Sequence, residues 1–230
     1  PNTLYQPTIT LEDWNKADLK GLSAGVYPEW FEHADPEVVN KNKELIKKLE
    51  ERGLLVKEIS IPNLEAMRVA HAITILSEMA ICMKNYREHR SEHGAAVRLS
   101  LVLGESLTSM DYIQAQRVRT QAMNNFAEVY KNVDVILTPG TAKAAQPVPA
   151  GGYTNGWSDL TLDIEMMRFI LAGNFVGLPA ISFPSGYDKR GLPISMQAIG
   201  RHWEENVILR VAYNAEKVVE RKLPNHYFGW

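Results

Sequence analysis

The chain has 230 residues, 45% hydrophobic and 23% charged, which is ordinary globular composition and enough to fold around a core. Its 25 lysines and arginines against 27 aspartates and glutamates leave a formal charge of −2, so no overall field draws it to nucleic acid or anionic lipid. A single cysteine, Cys82, excludes an intrachain disulfide; with no signal peptide, no run of about 18 apolar residues and no N-x-S/T site, an intracellular chain is expected.

The chain opens on Pro1 rather than Met and runs past Pro7 to Thr10 without helical periodicity, which suggests processing or truncation. Residues 25–27 read as a short strand leading into Trp30 and Phe31. Asp35 suits a helix N-cap and Pro36 the first helical position; Val38, Leu45, Ile46 and Leu49 then recur at helical spacing until Gly53. Residues 54–61, rich in branched apolar side chains and closed by Pro62, predict a second strand and hence a strand–helix–strand unit. Asn63 can cap the next helix, whose stripe is Leu64, Met67, His71, Ile75, Met79, Cys82 and Tyr86, with residues 87–93 as its solvated end.

Asp111 opens another long helix with Ile113, Val118, Met123, Phe126 and Tyr130 on one face. Residues 133–137 are apolar apart from Asp134 and end at Pro139 and Gly140, the pattern of a strand buried on both faces. Residues 141–159, with Pro147, Pro149, Gly151, Gly152 and Gly156, form a loop long enough to be functional. Residues 166–171 read as helix, 180–183 and 194–199 as strands joined by turn residues 187–191, and a last amphipathic helix carries Val207, Ile208, Val211, Ala215 and Val218. This interleaving predicts an α/β fold with a mixed β-sheet flanked by helices.

Chemistry-bearing patterns are mostly absent: there is no G-x-S-x-G elbow, no glycine-rich phosphate cradle and no H-E-x-x-H. His89 and His93 could share a helix face but lack an evident third ligand, so neither a metal nor a cofactor is expected. Cys82 sits on an apolar stripe, where a buried structural thiol is expected in place of a nucleophile. His71 reads as a core or boundary histidine before a general base, and Glu78 as a buried carboxylate bonded to neighbouring amides or an exposed one. Met79, Met83, Met123, Met166 and Met167 suit an adaptable apolar pocket or simple packing.

Three segments of the second half carry a resemblance. Val133-Asp134-Val135-Ile136-Leu137-Thr138-Pro139 resembles the D-x-x-x-x-P strand and turn of amidase-signature enzymes. Asn174, Gly177, Pro179, Ala180 and Pro184 resemble their N-x-x-G-x-P-A-x-x-x-P segment, and Gly191-Leu192-Pro193 with Gln197 and Gly200 resembles their G-L-P-x-x-x-Q-x-x-G signature, followed closely by Glu204. Their order and spacing also match, which is more specific than any one alone. Trp30, Phe31, Ala34, Asp35, Pro36, residues 65–72, Asp111, Tyr112, Gln116 and Arg119 look most like the plant fatty acid amide hydrolases, and the resemblance spans about residues 21–219.

The resemblance implies that residues 1–230 are the C-terminal part of a single amidase-signature domain, from a hydrolase using a Lys–Ser–Ser triad and a backbone oxyanion hole. In the family those groups lie upstream of the matched region. This chain has no G-G-S-S-type segment, so no catalytic residue is assigned in it. The expected partners are a fatty acid amide such as an N-acylethanolamine, the missing N-terminal half of the same enzyme, and a second copy in a homodimer, with no nucleic acid. Gly140, Thr141 and Ala142 are the expected pocket wall, because α/β sheets place ligands beyond the carboxyl ends of strands. Gly140 stands where the family often has a larger residue, so it either widens the pocket or serves as a turn glycine.

Other readings are a broader aliphatic or aryl amidase, a stand-alone processed fragment acting as a binding or structural protein, and the amidase subunit of a tRNA-dependent complex. The absent triad favours the fragment; the plant-type segments and lack of basic character argue against the tRNA-dependent subunit. Hydrolases of lipid amides commonly associate with membrane surfaces, yet no basic amphipathic helix is evident here.

Overall fold

A computed structural model describes residues 7–222 of the chain, so the opening at Pro1 lies outside the described residues. The first unit is β1 (Ser23–Val26), a short α1 (Pro28–Phe31), α2 (Pro36–Glu51) and β2 (Leu55–Glu58). β1 and β2 pair in parallel with Ser23 opposite Leu55, the strand–helix–strand unit read from the sequence. Gly53 has φ +97°, a conformation that ends α2 at low cost only in glycine. Asp35 stands at the N-cap of α2 but makes no side-chain cap bond. Its backbone N–H instead donates to Ala142 O at 2.8 Å, tying the start of α2 to the loop after the third strand.

Helices follow: α3 (Leu64–Cys82), a 3-10 segment Met83–Glu92, α4 (Ala95–Ser106) and α5 (Ser109–Val129). Asn63 precedes α3 in left-handed conformation (φ 64°) with no side-chain cap bond, whereas α5 begins with a full capping box between Thr108 and Asp111. The expected stripe is only half realised: Met67 and His71 are buried and Leu64 and Met79 half-buried, while Ile75 and Tyr86 are exposed. Cys82 is exposed as well, which corrects the expectation of a buried thiol. The helix outlasts the body it packs on, so periodicity continues where there is no core to meet it. By length and composition Leu64–Glu92 would pass for a membrane span (mean hydropathy 1.3), a run the sequence reading did not identify. Helix α4 was likewise not anticipated; its glycine, Gly104, lies against the Leu76 carbonyl of α3.

β3 (Val135–Pro139) is buried at all five positions, as its composition predicts. Short helices α6 (Gly152–Asn155), α7 (Leu160–Met166) and α8 (Leu171–Val176) lead to β4 (Ala180–Tyr187), β5 (Pro193–Gly200) and α9 (Glu205–Glu216). The helix expected at 166–171 is in fact the break between α7 and α8. The sheet order is β2-β1-β3-β5-β4, with β1 parallel to β2 and β3, and β5 antiparallel to β3 and β4. The predicted mixed sheet is therefore present.

Strand alternation divides the core in two. Val135, Leu137, Met196 and Ala198 pack with Leu45, Leu49, Val211 and Ala215 beneath α2 and α9. Ile136 and Ile199 pack with Phe126, Tyr130, Phe169 and Phe175 beneath α5 and α8. Covering the second face stops short of β4, where Ala180, Ser182 and Pro184 are exposed while Phe183 between them and Ser185 just beyond are buried.

Candidate active site

The site is built at the carboxyl end of β3, where the strand hands over to the loop at Gly140. Thr138 and Gln197 are buried opposite each other, and Gln197 Nε2 donates to Thr138 Oγ1 (3.1 Å) and to Phe169 O (2.9 Å). One amide group thus holds β3, β5 and the approach to α8 together, and satisfies a polar pair that would otherwise be costly to bury. The Gly140 N–H donates to Ser195 O at 2.9 Å, carrying the β3–β5 ladder one residue further.

Gly140 is buried, and a Cβ built there would overlap Ser195 Oγ and lie 3.1 Å from Ser182 Oγ. Its φ lies outside the left-handed range, so close approach of the serines, not turn geometry, is what a side chain there would meet. Thr141 is half-buried and donates to Lys143 O at 2.8 Å. Ala142 is buried and lines a cavity of about 230 Å³ with His33, Asp35, Lys143, Glu165 and Arg168. His33 and Arg168 also border a larger cavity of about 710 Å³ whose apolar wall includes Trp30, Ile61, Met67, Ile164 and Leu171. Arg168 is fixed between the two by donating to His33 O at 2.8 Å.

The electrostatics show what this cluster does not do. Lys143 pairs with Glu165 at 2.8 Å; that hydrogen bond raises the lysine's pKa and lowers the carboxylate's, so Lys143 stays charged and is no neutral base. His71, buried and edge-on to Phe175 at 6.0 Å, has its pKa lowered by burial, only partly countered by Glu78; it is a core histidine. Glu78 is exposed and accepts from Tyr112 at 3.2 Å. His89 pairs with Glu92 at 2.8 Å, and among the described residues no group of three or more His, Cys, Asp or Glu could hold a metal.

The structure brings Gly140 and Ala142 to opposite ends of one short turn, Gly140 under the serines and Ala142 on the cavity. Sequence reasoning missed Ser182, Ser195, Lys143, Glu165 and Arg168. For the serines a signal existed: each occupies an alternate position of a predicted strand, on the face shared with Gln197.

This is a mixed sheet with an uncovered patch beyond a buried central strand, and among the described residues no nucleophile–base pair stands beside it. An amidase family model matches residues 2–209, and the chain belongs to that family. It is similar to the fatty acid amide hydrolase of Medicago truncatula, 40% identical over 226 residues that are 95% of this chain and 36% of that protein. Against the fatty acid amide hydrolase of Oryza sativa subsp. indica the identity is 39%, covering 99% of this chain and 38% of the relative. A crystal structure of an amidase superposes with TM-score 0.76 at 22% identity, over 87% of this chain and 46% of the other; that likeness is one of fold. The chain thus spans little more than a third of the length of the plant relatives it matches.

Proposed function

We propose that this chain is the C-terminal portion of an amide hydrolase that cleaves N-acylethanolamines or related fatty acid amides, with its Lys–Ser–Ser triad in upstream polypeptide. The supporting observation is the pairing of full coverage here with about a third coverage of relatives named fatty acid amide hydrolase. The bare edge of β4 agrees with it, since Ala180 and Pro184 offer a surface on which the rest of the enzyme would close.

In this reading the upstream serine attacks the amide carbonyl, the amine departs with the proton relayed from that serine, and water then releases the acid. The present residues shape the site: Gln197 fixes the sheet at Thr138, Gly140 admits close approach, and the apolar cavity beside Trp30 and Met67 accommodates acyl chain. The test is turnover of a long-chain N-acylethanolamine by the complete enzyme and by residues 1–230 alone. Turnover is expected from the first and none from the second. Hydrolysis by the 230-residue chain alone would refute this assignment.

A further inference from the structure

We propose that Ser195, with Ser182 beside it, recognises the leaving amine of the substrate, the two hydroxyls forming a cradle for a small polar substituent such as the hydroxyl of an ethanolamine. The inference rests on the amide-hydrolase reading above and adds a specificity determinant to it.

Three observations converge. The first is position: the two hydroxyls meet over Gly140, the residue where β3 leaves the sheet, and the absence of a side chain there is what gives Ser195 Oγ its place. The second is unused capacity. Among the described residues Ser195 Oγ makes no hydrogen bond, and Ser182 Oγ reaches only Met196 O at a long 3.4 Å. One step deeper, by contrast, Thr138 and Gln197 are bonded to each other. The third is exposure: Ser182 is open and Ser195 half-open on a stretch of this sheet face that no helix covers among the described residues.

When that face is covered, each hydroxyl needs a partner, because a buried donor or acceptor left without one is costly. An acyl chain supplies none and would leave both unpaired. The apolar cavity lined by Trp30, Ile61, Met67 and Leu171 suits the chain instead. A hydroxyl that both donates and accepts matches two serines, and a site built to bond such a group discriminates strongly against the analogue lacking it.

The experiment uses the complete enzyme and two substrates with the same acyl chain, an N-acylethanolamine and the N-acylpropylamine that lacks the hydroxyl. Wild type is expected to prefer the ethanolamide by at least about tenfold in kcat/KM. Ser195→Ala is expected to erase most of that preference by slowing the ethanolamide while the propylamide stays within about threefold of wild type. Ser182→Ala should narrow it in the same direction and carries the test if the first variant does not fold. An equal fall on both substrates would place the hydroxyls against upstream polypeptide and overturn the proposal, as would an unchanged preference. A wild-type enzyme that cleaves neither amide would overturn the functional reading and this inference with it.

Discussion

Gly104→Ala is expected to lower stability by about 1–3 kcal/mol, the cost of overpacking a well-filled contact, even though alanine is the better helix former by about 1 kcal/mol. A Cβ at this position would overlap the Leu76 carbonyl oxygen, lie 2.9 Å from its carbon and come within 3.2 Å of Ala80 Cβ. Leu76 O belongs to the α3 backbone and cannot swing aside, so α4 must move away from α3 as a body. Gly140→Ala provides the internal comparison, because there the nearest obstacle is the hydroxyl of Ser195, the free end of a rotatable side chain. Its cost is expected to stay below about 1 kcal/mol, and to shrink further when Ser195 is also replaced by glycine. Urea unfolding of these three variants beside wild type checks this. Greater stability of Gly104→Ala than wild type would show that the two helices are not held at this contact.

The same two glycines show what was legible in the sequence. Position 140 stood out from its place after a buried strand, yet the sequence left a widened pocket and a turn glycine as equal readings. The answer required knowing that antiparallel pairing sets Ser195 beside it and Ser182 beyond. β3 itself was readable because every one of its residues is buried and its composition had only one reason to be so apolar. The α3 stripe was readable as a helix but not as a core, since periodicity reports a face and not the neighbour that covers it; Cys82 and Ile81 lie on the uncovered end. Helix α4 gave no clean stripe because Leu99, Val102 and Leu103 are all exposed while Leu101 and Gly104 alone are buried.

The site follows the same division. Gly140, Thr141 and Ala142 are candidates from the rule that ligands gather beyond strand ends, a statement about backbone topology. Side chains supplied by β4, β5 and α7 could not be found that way, because their convergence depends on strand register and on the approach of Glu165 to Lys143. The arrangement gives the sheet a rigid floor: Gln197 bonds inward, while Ser182 bonds only at a long 3.4 Å among the described residues.

Arg201→Met is expected to cost about 2–4 kcal/mol at neutral pH, because one guanidinium serves two backbone carbonyls and a carboxylate at the edge of that floor. Arg201 donates to Tyr130 O at 2.7 Å, to Val133 O at 2.9 Å and to Asp134 Oδ1 at 3.2 Å. Asp134 in turn accepts from the Ser23 N–H and hydroxyl, both at 2.8 Å, so the network joins β1, the start of β3 and the end of β5. Burial pushes the Asp134 carboxyl up, but the Ser23 bonds and Arg201 outweigh it and leave its pKa lowered. A lowered carboxyl contributes stability that is complete above its unfolded pKa, near 4, and is lost as pH falls through the folded value. Wild type should therefore lose stability on acidification below about pH 4, and Asp134→Asn should lose less over the same range while starting lower at pH 7. Urea midpoints from about pH 7 to pH 2 measure both variants; a wild-type midpoint for Arg201→Met at neutral pH, or an acid limb unchanged in Asp134→Asn, would mean that other contacts hold these three strands together.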